Sequence, residues 1–84
     1  GIDSLNGGDG RDLLYGDEGN DVLIGEAGAD DLFGGEGDDG LYGGDGHDVL
    51  SGDTGNDSLL GEHGNDIMGG DGGNDSMNGG SGDD

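Results

Sequence analysis

Two consecutive nonapeptides decide the fold: GDEGNDVLI at residues 16–24 and GEAGADDLF at residues 25–33. Each has Gly at its first and fourth positions, Asp at its sixth and Leu at its eighth. Outward from this pair the nine-residue period continues without a slip, as a partial repeat (1–6), eight full nonapeptides (7–78) and a second partial repeat (79–84). We therefore predict a single repeat block over residues 1–84. Because both ends stop within a repeat and no polar cap is visible, we expect a fragment of a larger protein.

Four columns of the repeat carry the information. First-position glycines are Gly7, Gly16, Gly25, Gly34, Gly43, Gly52, Gly61, Gly70 and Gly79. Fourth-position glycines are Gly1, Gly10, Gly19, Gly28, Gly37, Gly46, Gly55, Gly64, Gly73 and Gly82. Sixth-position aspartates are Asp3, Asp12, Asp21, Asp30, Asp39, Asp48, Asp57, Asp66, Asp75 and Asp84. The eighth position always holds Leu or Met, and an aliphatic residue at this fixed spacing indicates an ordered chain.

The composition limits the class of partner. Only 25% of the residues are hydrophobic, and 22 acidic residues face a single basic one, Arg11, for a net charge of −21. Such a chain repels nucleic acid and anionic membrane surfaces, so its natural partners are cations. No apolar run approaches the roughly 18 residues of a membrane span. The chain has no Cys, so disulfides cannot stabilise it.

The period predicts an all-β solenoid. Frequent glycine disfavours a helix but permits tight turns. Between the turns lie three residues, such as 22–24, enough for a very short strand. Nine residues then form one turn and one strand, and eighteen form a coil that stacks on the next at about 4.8 Å. The aliphatic side chains fall into two facing rows: Leu5, Leu23, Leu41, Leu59 and Met77 in one, Leu14, Leu32, Leu50 and Met68 in the other.

The same stacking aligns the aspartates in two columns. Two unit charges about 4 Å apart repel by roughly 4 kcal/mol at an effective dielectric constant of 20. With so small a core, the metal-free solenoid is not expected to form. Carboxylates and glycine carbonyls are hard oxygen ligands, which suit calcium, whereas zinc and copper prefer His or Cys.

The repeats match the pattern G-G-x-G-x-D-x-U-x, and the chain resembles the repeat region of the RTX family of secreted bacterial toxins, proteases, lipases and adhesins. The resemblance implies a right-handed parallel β-roll with calcium ions in its turns. It also implies ligands from the sixth-position Asp side chains and from turn carbonyls, here those of the first- and fourth-position glycines from Gly7 to Gly82. Pairing the turns gives seven ions, or eight if residues 1–3 contribute. Type I secretion, folding on extracellular calcium and the absence of catalysis follow as expectations.

Some positions depart from the pattern. The second Gly is replaced at Asp17, Glu26, Asp53, Glu62 and Asp71. Glutamate tolerates a left-handed backbone less well than aspartate, so we expect the Glu26 and Glu62 turns to distort or bind weakly. Two glycines in strand positions, Gly40 and Gly69, should loosen the ladder locally.

The outward strand positions leave two functions open. They hold Leu13, Tyr15, Phe33, Val49 and Ile67 on one face, and Val22, Ile24, Tyr42 and Leu60 on the other. These side chains can pack across strands, which suits a structural module. They can also dock a neighbouring domain or further copies, which suits an adhesin, surface layer or filament.

The remaining polar residues suggest no other function. Ice binding is disfavoured because the segment 53–56 alone supplies a Thr–Asn pair. His47 and His63 lie at variable turn positions, and no Ser–His–Asp arrangement is visible in the sequence.

Overall fold

Parallel strands separated by short turns build the molecule. The computed structural model describes residues 2–82, and in this range it has nine strands: β1 Ser4–Asp9, β2 Leu13–Glu18, β3 Val22–Ala27, β4 Asp31–Glu36, β5 Gly40–Asp45, β6 Val49–Thr54, β7 Ser58–His63, β8 Ile67–Gly69 and β9 Ser76–Asn78. Odd strands form one sheet in the order β1-β3-β5-β7-β9, and even strands form the other in the order β2-β4-β6-β8. The chain thus alternates between two sheets, which confirms the predicted all-β roll.

The register confirms the eighteen-residue coil. Leu5 pairs with Leu23, and Leu23 with Leu41, so each residue lies beside the one eighteen positions later. The buried core consists of six leucines: Leu14, Leu23, Leu32, Leu41, Leu50 and Leu59. The shortest extent of the Cα positions is 12 Å, close to the roughly 10 Å between two packed sheets. The core is therefore one layer of side chains deep.

The aliphatic rows are less buried at their ends than the sequence suggested. Leu5 and Met68 are only partly buried, and Met77 is 53% exposed. The assignment of Met77 to an inner row was therefore wrong with respect to burial. The reason is that each coil is covered by its neighbours, and within residues 2–82 no strand pairs with β9 beyond β7.

Most strands are twice as long as predicted. β3 continues past Val22-Leu23-Ile24 through Gly25 to Ala27, and the pairs Gly8–Glu26 and Asp9–Ala27 extend its ladder with β1. Gly8 has a positive φ of 89°, yet pairing resumes there because every coil repeats the same kink. The turns shrink accordingly to three residues, the fourth-position Gly, a variable residue and Asp.

The glutamate turns are not distorted. Glu26 and Glu62 have φ values of 79° and 78°, next to 74° at Asp17 and 70° at Asp53. All four residues have the left-handed conformation that glycine has at the same position. The expectation that the glutamate turns would be distorted was therefore wrong. Neighbouring coils hold this backbone in place against its local preference.

The two strand glycines behave differently. Gly40 pairs with both Val22 and Ser58, so the ladder stays intact there. Gly69, by contrast, is the last residue of β8. On the outer face of the even sheet, the Tyr15 and Phe33 rings stack with centroids 5.1 Å apart. Within residues 2–82, no helix has the length and apolarity to span a membrane.

Candidate calcium sites

The sixth-position aspartates lie at the ends of the three-residue turns, in two columns along the roll. Six of them are buried: Asp21, Asp30, Asp39, Asp48, Asp57 and Asp66. Asp12 and Asp75 are half-buried and Asp3 is exposed. Asp84 and Gly1, included in the expectation from the sequence, lie outside the described residues. A buried row of carboxylates needs compensation, because burial removes the water that solvates them.

One carboxylate oxygen of these aspartates holds the backbone of the preceding coil. The N–H of Asp21 donates to Oδ1 of Asp39 at 2.7 Å, and the N–H of Asp39 donates to Oδ1 of Asp57 at 2.8 Å. The same bond is repeated in both columns at 2.7–2.9 Å. We call these bonds the Oδ1 ladder. They extend the hydrogen bonding between neighbouring strands into the turns.

The other oxygen, Oδ2, is buried without a hydrogen-bond partner in Asp12, Asp21, Asp30, Asp39, Asp48 and Asp57. A buried polar atom that lacks a partner costs about 1–3 kcal/mol, and more if it is charged. Native structures rarely keep a repeated row of such atoms unless a ligand or ion satisfies them. The row of Oδ2 atoms therefore fits the binding of a cation.

A carbonyl oxygen from the next coil approaches the same place. A Cβ atom added at Gly25 would lie 2.5 Å from Oδ2 of Asp30 and 2.6 Å from the carbonyl oxygen of Gly43. Gly16, Gly34, Gly43 and Gly61 have the equivalent pair of neighbours. The first-position glycine thus lets the aspartate Oδ2 and the carbonyl oxygen of the next coil pack closely against its Cα, an arrangement here called a cradle. A Cβ atom there would clash with both oxygens, which explains why this column is always glycine.

The fourth-position carbonyls also face the following coil. The carbonyl oxygens of Gly10, Gly28 and Gly46 lie against the Cα atoms of Gly28, Gly46 and Gly64 respectively. The structure thus orders the carbonyls of both glycine columns between successive turns. Of these two sets of carbonyls, those of the first-position glycines lie nearer the Oδ2 atoms.

Like charges accumulate along each column. Burial raises the pKa of the Asp39, Asp48 and Asp57 carboxyls above the ordinary value, and the Oδ1 hydrogen bond partly opposes this effect. Neighbouring carboxylates in the same column raise the pKa of each group further. Without a cation, the fold therefore disfavours the ionised form that these groups have at neutral pH.

The donor set is rich in carbonyls and poor in side chains. Among residues 2–82, no three His, Cys, Asp or Glu side chains converge on a common point. Zinc and copper sites are usually built from such clusters. Calcium instead accepts carboxylate and carbonyl oxygens together in a flexible shell. The residues present thus fit calcium.

Side chains at the variable turn positions form a second ladder that the sequence analysis missed. Asn20 Oδ1 accepts the Asp38 N–H, and Asp38 Oδ1 accepts the Asn56 N–H, both at 2.8 Å. His47 Nδ1 accepts the Asn65 N–H at 2.9 Å. The preference for Asn and Asp at the fifth position was the available signal.

One Ser–His contact was also missed. His63 Nδ1 lies 2.8 Å from Ser81 Oγ, across the bridge between their coils, and both residues are exposed. Eighteen positions separate the two, the same interval that relates all stacked residues. Both histidines therefore link neighbouring coils through a ring nitrogen.

Comparison with known families agrees with this geometry. The model of the RTX calcium-binding nonapeptide repeat (4 copies) matches residues 6–41, 42–77 and 51–84. Comparisons with curated proteins and with solved structures give no match. The matched segments cover nearly the whole chain, and their period is the one that positions the cradles. The chain belongs to the RTX calcium-binding nonapeptide repeat family.

Proposed function

We propose that the chain is a calcium-dependent structural module that folds when calcium fills the space between its stacked turns. The observation that carries this proposal is the row of buried Oδ2 atoms without hydrogen-bond partners. The metal-free roll combines these atoms with a net charge of −21 and a core of six leucines. A ligand that binds only the folded state stabilises it by mass action. Calcium therefore acts as a part of the folded core.

The proposed ligands are the sixth-position carboxylates with the carbonyls of the first- and fourth-position glycines. Each bound calcium ion would supply two positive charges, which offset the repulsion between the carboxylates of a column. We expect fewer than the seven to eight ions obtained by pairing turns in the sequence, because the aspartates near the column ends, Asp3 and Asp75, are not fully buried. Equilibrium dialysis against calcium measures the number directly.

We further propose that the chain is part of an exported protein. RTX repeats are typical of type I-secreted bacterial proteins, and a calcium-dependent fold suits that route. The chain stays unfolded where calcium is scarce and folds where calcium is abundant.

Circular dichroism during a calcium titration tests the central proposal. We expect a coil spectrum in chelator and a cooperative gain of β structure as calcium is added, because the ions complete the core. Magnesium at the same concentrations serves as the control and should give a much smaller change, since it retains its water ligands. A full β spectrum in chelator would show that the roll does not need calcium.

A second candidate, assembly of several copies, rests on the apolar side chains of the outer faces. Leu13 is 57% exposed, Tyr15 54% and Ile67 69%, which leaves apolar area open to a second chain. Sedimentation in calcium should then show multimers that disappear when Tyr15, Phe33 and Tyr42 are changed to Ser. A monomer in both samples excludes assembly and leaves the structural module.

A further inference from the structure

We propose that each buried sixth-position aspartate has two separable roles on its two oxygens: Oδ1 fixes the preceding coil, and Oδ2 creates the dependence on calcium. A carboxamide at this position would keep the first role and abolish the second. The inference rests on the proposed function, because it assigns the calcium requirement to one named atom of each residue. Asp39 shows the argument most clearly, since it lies in the middle of its column.

The Oδ1 role follows from the hydrogen bonds. The Asp21 N–H lies in a buried turn and donates to Asp39 Oδ1 at 2.7 Å. The side-chain oxygen of Asn can accept this bond in the same geometry as a carboxylate oxygen, because Asn and Asp have the same planar shape. The bond therefore needs an oxygen at this point and does not require a negative charge.

The Oδ2 role follows from what surrounds the second oxygen. Oδ2 of Asp39 has no hydrogen-bond partner. A Cβ atom added at Gly34 would lie 2.5 Å from this Oδ2 and 2.9 Å from the carbonyl oxygen of Gly52. Both oxygens thus lie against the Cα of Gly34, and Oδ2 receives no hydrogen bond. A cation satisfies both, and an NH₂ group placed at Oδ2 is a donor next to an acceptor.

A carboxamide therefore changes the sign of this local interaction. It removes the buried charge and replaces an acceptor that lacks a partner with a donor close to the Gly52 carbonyl. It also removes a ligand that calcium requires, since an amide nitrogen does not bind this ion. The substituted turn is expected to lose its ion and to remain in place.

The first test compares Asp39→Asn with Asp39→Ala in the calcium-saturated chain. Hydrogen exchange of the Asp21 amide reports the Oδ1 ladder, and equilibrium dialysis reports the bound ions. We expect both variants to bind less calcium. Exchange in Asp39→Asn should stay within about threefold of the parent, and in Asp39→Ala it should rise about tenfold or more, as a lost buried hydrogen bond implies. Equal acceleration in both variants would overturn the separation of roles.

The neighbouring residue supplies a matched control. Asp38→Asn makes the same change of charge one position away and also keeps its hydrogen bond to the Asn56 N–H. We expect this variant to retain the full number of ions. If it loses as much calcium as Asp39→Asn does, overall charge sets ion binding and the assignment to Oδ2 is wrong.

The second test is done in chelator and needs no calcium. Five buried aspartates are changed to Asn: Asp21, Asp30, Asp39, Asp48 and Asp57. A control chain has the same change of charge at five exposed acids, as Asn or Gln: Asp9, Asp17, Glu36, Asp45 and Asp71. The buried set should show more β structure than the control. An equal coil signal in both overturns the inference, whereas failure of the parent chain to bind calcium in dialysis would instead refute the proposed function.

Discussion

The central coils and the last coil share one repeat but differ in how completely they are built. From β3 to β7 the strands have six residues and their eighth-position leucines are buried. In β8 and β9 the strands have three residues, and beyond them the part of the chain up to residue 82 pairs only through the bridges of Thr54 with Gly72 and His63 with Ser81. Met77, at the position of Leu41 two coils earlier, is 53% exposed. The repeat therefore specifies the path of a coil, but a coil reaches its full strand length and burial only with a neighbouring coil on each side.

The largest difference between the central coils and the last coil is expected for substitutions of the aliphatic side chains. Leu41→Ala removes a side chain with 0% exposure, and we expect it to lower the free energy of unfolding by about 2–5 kcal/mol. Met77→Ala changes an equivalent position in the last coil and should cost less than about 0.5 kcal/mol, as at other surface sites. Denaturant unfolding in saturating calcium measures both. Similar losses would mean that the last coil is as well packed as the centre.

The next effect concerns the cradles. In Gly34→Ala the added Cβ meets Oδ2 of Asp39 and the Gly52 carbonyl, so we expect a loss of about 1–3 kcal/mol from overpacking and of one bound ion. Gly69→Ala is the control in the last strands, because a Cβ there meets nothing within 4 Å. Unfolding and calcium stoichiometry report the pair. If Gly34→Ala keeps all its ions, the cradle is not where calcium binds.

The smallest effect is a response to pH in the absence of calcium. Burial raises the pKa of the Asp39, Asp48 and Asp57 carboxyls, so the folded state binds protons more tightly than the unfolded state. Its stability is then greatest below the unfolded pKa of 3.8 and falls as pH rises through the folded values. We expect a gain of β structure in chelator as pH falls from 7 towards 4. As pH falls, amide hydrogen exchange should slow in the central coils before it slows at the Asp75 amide. Equal slowing in both regions would contradict this expectation.

Much of the fold was predictable because the repeat leaves few alternatives. The period of nine, with Leu at the eighth position, predicted both sheets and the pairing of Leu23 with Leu41. The extension of β3 to Ala27 was not predictable, since glycine at the kink suggests the end of a strand. In fact, the coil above provides partners for its backbone. The left-handed Glu26 was missed for the same reason, because neighbouring coils override a local preference.

The candidate sites were predictable by residue and not by atom. A column of aspartates indicates a cation, but the sequence does not distinguish Oδ1 from Oδ2. That distinction depends on the turn geometry that directs Oδ1 of Asp39 to the Asp21 amide. The contact of His63 with Ser81 likewise depends on the register, which relates residues eighteen positions apart. Met77 was misjudged because its exposure depends on which strands cover it.

The register also limits how such a chain can change in length. Every stacked pair lies eighteen residues apart, so a duplication or deletion of eighteen residues leaves each remaining residue in its own sheet and column. A change of nine residues preserves the spacing of glycine and aspartate but moves all that follows to the opposite sheet, where Tyr42 would continue the outer row of Tyr15 and Phe33. A change that is not a multiple of nine moves leucine and aspartate out of their columns. Tandem duplication can therefore lengthen this roll only in whole steps of nine.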